Sequence, residues 1–172
     1  MIDRVQLRER IITIVKWILN YRFVLLAVFL SVLMTFFTIN RQWIADFWAH
    51  SAAVRELITN FSEPRHPQLL HRATHINYSP YAVALAFTAR LLNLDAITVL
   101  AAAGLFNLGL FIAGLGIFVF LFFPDHKQAA AFYALLLVLF WWGANPWHIS
   151  GFFHIGVLGK VLPYPSTFAL GL

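Results

Sequence analysis

The sequence predicts an all-α, polytopic transmembrane protein, and three observations carry that prediction. Hydrophobic residues make up 61% of the 172 residues, with 18 Phe and 6 Trp, and charged residues only 11%, a balance foreign to soluble domains. Apolar runs of bilayer-spanning length alternate with polar stretches, and a hydrocarbon core of ~30 Å needs roughly 20 such residues per helix. The expected architecture is about three full spans, two juxtamembrane helices in the first external loop, and the start of a further span.

Taken in order, residues 1–15 read as a cytoplasmic N-terminus. The net charge is +5, but the basic residues do not form a nucleic-acid-binding face. Arg4, Arg8, Arg10, Lys16 and Arg22 gather ahead of the first apolar run, against only Asp3 and Glu9, which is a topology signal. The expected location is therefore an integral one, in a membrane of the bacterial inner (plasma) type, with the N-terminus cytoplasmic. The absence of cysteine excludes disulfides, iron–sulfur clusters and thiolate zinc sites. Residues 16–39 form the first span, a retained anchor, because Phe23–Ile39 outlasts a signal-peptide core and no small-residue cleavage site follows.

Residues 40–94 read as one external loop. Within it Ile44–Phe61 lacks Gly and Pro, and helical spacing gathers Ile44, Phe47, Trp48, Val54, Leu57, Ile58 and Phe61 on one side, as in a helix lying flat at an interface. Its far side is mostly alanine, which also suits packing on other helices. Asp46 and His50 share a face, four positions apart. Asn77-Tyr78-Ser79-Pro80 is a helix start, Ser79 as N-cap and Pro80 at the first position, and the helix to Leu92 is too short for a comfortable span. Asp95 caps the next span, 95–123, whose Gly104, Gly109, Gly114 and Gly116 allow close contacts. Pro124-Asp125-His126-Lys127 turns the chain on the cytoplasmic side. A third span occupies 128–145, an external loop 146–164, and residues 165–172 begin a further span that stops short, so the chain is expected to be a fragment of a longer protein. His50, His66, His71, His75, His148 and His154 all fall on the external side.

Each candidate residue has a plainer alternative. Asp46 suits a base held near Trp48 and His50, yet aspartate is also a favoured N-cap. Asp46 and His50 can share a divalent metal, but two ligands fall short of a site, and no resident cofactor is expected. His71 and His75 have the HxxxH spacing of membrane desaturases, without the His-His pairs those enzymes need. No histidine lies at mid-span, where a b-type haem would require one. Arg65, Arg72, Arg90 and Lys160 suit a phosphate, or simply lipid headgroups. Trp141, Trp142 and Trp147 read as an aromatic belt.

This order of elements resembles the C-type (GT-C) glycosyltransferases, integral membrane enzymes that use polyprenyl-phosphate sugars. The resemblance runs through Asp46-Phe47-Trp48-Ala49-His50 with its helix, Arg65-His66-Pro67, Asn77-Tyr78-Ser79-Pro80-Tyr81 and Ala89-Arg90-Leu91-Leu92, and covers most of residues 1–145. It implies the N-terminal part of an enzyme that moves a sugar to an acceptor hydroxyl on the external face, with Asp46 as general base and His50 beside it. Arg65, His66, Arg72, His75, Tyr78 and Lys160 would bind the substrate and its phosphate. The implied partners are a lipid-linked sugar donor and membrane lipids. Asn145–Pro165 contains no acid, so no second acidic role is expected there. The competing reading is a non-catalytic polytopic protein: a transporter fragment, a complex subunit or a binder of lipid-linked sugar. Transporters place ionisable groups near the bilayer midplane, and the cores of these spans carry none.

Bringing the two histidine groups together requires that Pro80–Leu92 not cross the membrane. Single cysteines introduced at His71 and at Leu94 should both react with an impermeant maleimide from the external side. Labelling of the two from opposite sides would mean that the helix crosses.

Overall fold

The computed structural model describes residues 4–41, 43, 46–69, 75, 77–141 and 154–172. Every regular element among them is helical. Two helices are long and apolar enough to cross a membrane, α1 (Arg4–Ile39) and α4 (Ala96–Phe122). The 36 residues of α1 extend ~54 Å at 1.5 Å per residue, well beyond a ~30 Å hydrocarbon core. Its first turns carry exposed Arg8, Arg10 and Lys16, and the helix starts ahead of residue 16 rather than at it.

The third expected span is represented by α5 (Lys127–Phe140), entered through a single 3-10 turn at Pro124–His126. With 14 residues α5 measures ~21 Å, less than an apolar layer, and residues 142–153 lie outside the described residues. The stretch between α1 and α4 holds α2 (Phe47–Thr59) and α3 (Pro80–Leu92). Residues 146–164, read from the sequence as a loop, include α6 (Ile155–Val161), after which α7 (Pro165–Gly171) folds back along α4.

Local chemistry fixes these boundaries. The Ser79 hydroxyl accepts the Ala82 amide at 3.2 Å and Pro80 occupies the first turn, where its missing N–H costs nothing. Asn93 ends α3 in the left-handed region at φ 53°, a conformation asparagine tolerates better than most residues. The Asp95 carboxylate accepts the Ile97 and Thr98 amides at 2.8 and 2.9 Å and the Thr98 hydroxyl at 2.8 Å. The Thr98 bonds hold that carboxyl below its ordinary range, and the cap expected at Asp95 is present.

Packing divides into two cores that share α4. One joins Phe23, Leu30 and Met34 of α1 to Leu108 and Val119 of α4, to Leu135 and Leu139 of α5, and to Leu158 and Leu162. The other packs Phe47, Val54 and Leu57 of α2 on Ala82, Ala86 and Ala89 of α3, closed by Ala96, Val99 and Leu100. The three alanines allow a close helix contact. As a result α2 buries only part of the side the sequence predicted: Phe47, Val54 and Leu57 are buried, whereas Trp48 and, beyond the helix, Phe61 are exposed, and Ser51 and Ala53 are buried as well. Two helical neighbours, rather than one flat surface, decide what it covers.

Asn107 ties the stretch containing α6 to this frame. It is fully buried, and its amide nitrogen donates to the Leu162 carbonyl at 2.7 Å and the Tyr81 hydroxyl at 2.9 Å. Gly104 leaves room for the turn, since a Cβ there would lie 3.2 Å from Pro163. Gly171 abuts α4 so closely that a Cβ would lie 2.9 Å from that of Leu110. Replacing the strongest cap should be felt throughout: Asp95→Ala is expected to destabilise the protein by about 1 kcal/mol, read as a lower thermal midpoint in detergent, with Asp95→Asn nearer to wild type.

Candidate functional site

Asp46 stands at the head of α2 with helical backbone angles, φ −65° and ψ −13°, and its side chain makes no cap hydrogen bond. An N-cap residue ordinarily has extended angles and turns its oxygen onto the helix amides. The Tyr164 phenol lies near the Phe47 amide, close enough to affect its own ionisation. A residue from the turn before α7 thus lies beside the helix end, and the Asp46 carboxylate stays exposed at the surface.

One turn further, His50 is half-buried, its ring 4.7 Å from that of Tyr164 and tilted by 31°. Burial lowers the pKa of His50, Asp46 opposes that shift, and His75 reinforces it. Burial, then the charge of Asp46, pushes the Tyr164 phenol up to about 12, with the Phe47 amide acting the other way. At neutral pH the site therefore presents a carboxylate beside a neutral imidazole and a phenol that keeps its proton.

A belt of polar groups continues from His50. The His75 ring lies 4.6 Å from that of His66 at 89°, and 6.0 Å from that of Tyr78. Burial and then His66 lower the pKa of His75. The Tyr78 hydroxyl donates to the Arg65 carbonyl, while the Arg65 amide donates to Glu56 at 3.0 Å. That bond, with one from Asn60, holds Glu56 below its ordinary range. The imidazole Nδ1 atoms of His66, His75 and His154 each accept a backbone amide, from Gln68 at 3.2 Å, Asn77 at 3.2 Å and Gly156 at 3.1 Å.

The structure thus brings Asp46, His50, His75, His66, Tyr78 and Arg65 into one continuous neighbourhood. Lys160 lies in the last turn of α6, one turn of chain before Tyr164. Arg72 falls outside the described residues, as do His71, Trp142, Trp147 and His148. Among the described residues no three His, Asp or Glu side chains are grouped to hold a metal ion. Tyr164 and Asn107 were not singled out from the sequence. The run Pro163-Tyr164-Pro165 was the available signal, since two prolines fix an aromatic residue in an extended turn.

Next to this belt, a cavity of about 520 Å³ opens between α3, α4 and α7, walled by Tyr81, Leu85, Val99, Phe106 and Phe168. Its size and apolar wall suit a hydrocarbon chain, within the ~300–1,000 Å³ typical of ligand sites. No described protein family, curated protein or solved structure matches this chain.

The histidines set a pH dependence whose sign follows from burial. The folded protein disfavours protonation of His50 and His75 relative to the ordinary value of 6.5, so below that pH the unfolded chain binds more protons. Their contribution to stability is complete above pH 6.5 and is lost as the pH falls through it. The thermal midpoint in detergent should fall on acidification in this window, before carboxylates titrate, and the fall should be smaller in His50→Asn/His75→Asn.

Proposed function

We propose that this chain is the N-terminal part of a membrane glycosyltransferase that moves a sugar from a polyprenyl-phosphate-type donor to an acceptor hydroxyl on the external face. The observation that carries the reading is the Asp46 carboxylate, exposed at a helix end and making no cap hydrogen bond, beside a neutral imidazole and a protonated phenol. In this reading α1, α4 and α5 are spans, α2 and α3 are juxtamembrane helices, and α7 begins a further span. The N-terminus is cytoplasmic, in a membrane of the bacterial inner type.

The acceptor oxygen attacks the anomeric carbon and forms the new glycosidic bond as the bond from sugar to phosphate oxygen breaks. Asp46 takes the hydroxyl proton, and the polyprenyl phosphate leaves with the electron pair. A phosphate is already a good leaving group, so one base suffices. His50, held neutral, positions the acceptor without competing for its proton. Arg65, Arg72 or Lys160 offsets the charge on the departing phosphate, and His66, His75 and Tyr78 hydrogen-bond the donor. The cavity beneath α3 takes part of the lipid chain. That same cavity would also serve a non-catalytic binder of lipid-linked sugar, the second reading.

In membranes carrying the protein, Asp46→Asn is expected to lower transfer from a polyprenyl-phosphate hexose by ~10² to 10⁴, the usual worth of a general base, with donor binding retained. Wild-type transfer in a normally expressed Asp46→Asn variant would defeat the assignment of the base. Donor binding without transfer in the wild type would favour the binder.

A further inference from the structure

A second polar cleft, of about 400 Å³, lies where the C-terminal ends of α2 and α3 meet. Its wall includes Asn60, Ser62, Glu63, Arg65 and Arg90, with Phe61 between them. The guanidinium of Arg90 sits 5.8 Å over the Phe61 ring, a contact that holds an arginine in place while leaving its edge free to donate. Asn60 and the Arg65 amide are both bonded to one oxygen of Glu56, at 2.9 and 3.0 Å. They hold Glu56 outside the lining, so Ser62 and the two guanidiniums are the donors available to a ligand.

The flank of this cleft is apolar and uncovered. Val83, Phe87 and Leu91 recur every four residues along α3 and are 36%, 63% and 73% exposed. Arg90 follows Val83 by seven positions and Phe87 by three, so it lies ~20° from the one and ~60° from the other, at the border of that row. An exposed apolar stripe with arginine on its border is the pattern of a helix seated between acyl chains and headgroups. The lining carries two arginines and one glutamate, a net charge of +2 − 1 = +1, which one phosphodiester would neutralise.

We propose that this cleft holds the phosphodiester of a membrane phospholipid headgroup on Arg65 and Arg90, with its acyl chains lying along Val83, Phe87 and Leu91. The site shares Arg65 with the Asp46 neighbourhood but does not rest on the transfer reading. It gives Arg65 to the headgroup and leaves Arg72 and Lys160 for a donor phosphate. Arginine forks suit phosphate oxygens, and a lipid supplies both the charge and the chains that the flank requires.

The test is native mass spectrometry of the purified protein in a maltoside detergent, comparing retention of phosphatidylglycerol with that of a glucosyl diacylglycerol bearing the same chains. The phospholipid should be retained at least about tenfold better, and each arginine should account for roughly fivefold. R65Q/R90Q should retain both lipids equally, and R90Q alone, at an exposed position, should lose roughly fivefold. R8Q/R10Q, on the far part of α1, should change nothing. Displacement of the lipid by equimolar glycerophosphoglycerol would overturn the lipid and leave a soluble phosphodiester as occupant. Equal retention in wild type, or retention indifferent to both arginines, would overturn the site altogether.

Discussion

A carboxamide sealed from solvent governs where the distant parts of this chain can go. Asn107 lies in the apolar α4, where an unpaired polar atom costs ~1–3 kcal/mol; its Oδ1 is buried without a partner, whereas its nitrogen makes two bonds. One fastens Tyr81 and so α3. The other fastens the Leu162 carbonyl at the end of α6. The neighbouring Val161 carbonyl is taken by the buried Thr167 hydroxyl at 2.7 Å, so side chains satisfy both carbonyls of the turn. In a low-dielectric surrounding such bonds specify one arrangement, because any displacement strands a polar group.

From Leu162 the chain reaches Tyr164 in two residues, and Tyr164 joins the stretch before α7 to the one between α1 and α4. Its phenol lies near the Phe47 amide at the exposed end of α2, and its ring covers His50. The surroundings of Asp46 are in this sense a property of long-range structure.

Signals confined to a few neighbouring residues were legible in the sequence. Ser79-Pro80 marked the start of α3, Asp95 the start of α4, and the alternation of apolar and polar runs marked the helical class and both long helices. Contacts between distant residues were not. Asn107 meets Leu162 across 55 positions, and nothing in local composition distinguishes a bridging asparagine from an incidental one. The face of α2 was misjudged at Trp48, Phe61 and Ala53 for the same reason, since hydrophobicity alone does not reveal how many helices will crowd a segment. α6 escaped notice because seven residues are too few for periodicity to show. Of the site, the acid and its histidines were visible as a spacing, whereas the tyrosine that completes it was not.

The backbone amides that point at His66, His75 and His154 decide what these rings can offer. A nitrogen that accepts a hydrogen bond must keep its lone pair, so in each neutral ring the proton resides on Nε2. Each imidazole then has a single outward function, that of an N–H donor, and no basic nitrogen left over. A surface furnished in this way is matched to oxygen-rich guests such as sugar hydroxyls and phosphates. Before any of the rings could ligate a cation, it would first have to shift tautomer and abandon its hold on the main chain.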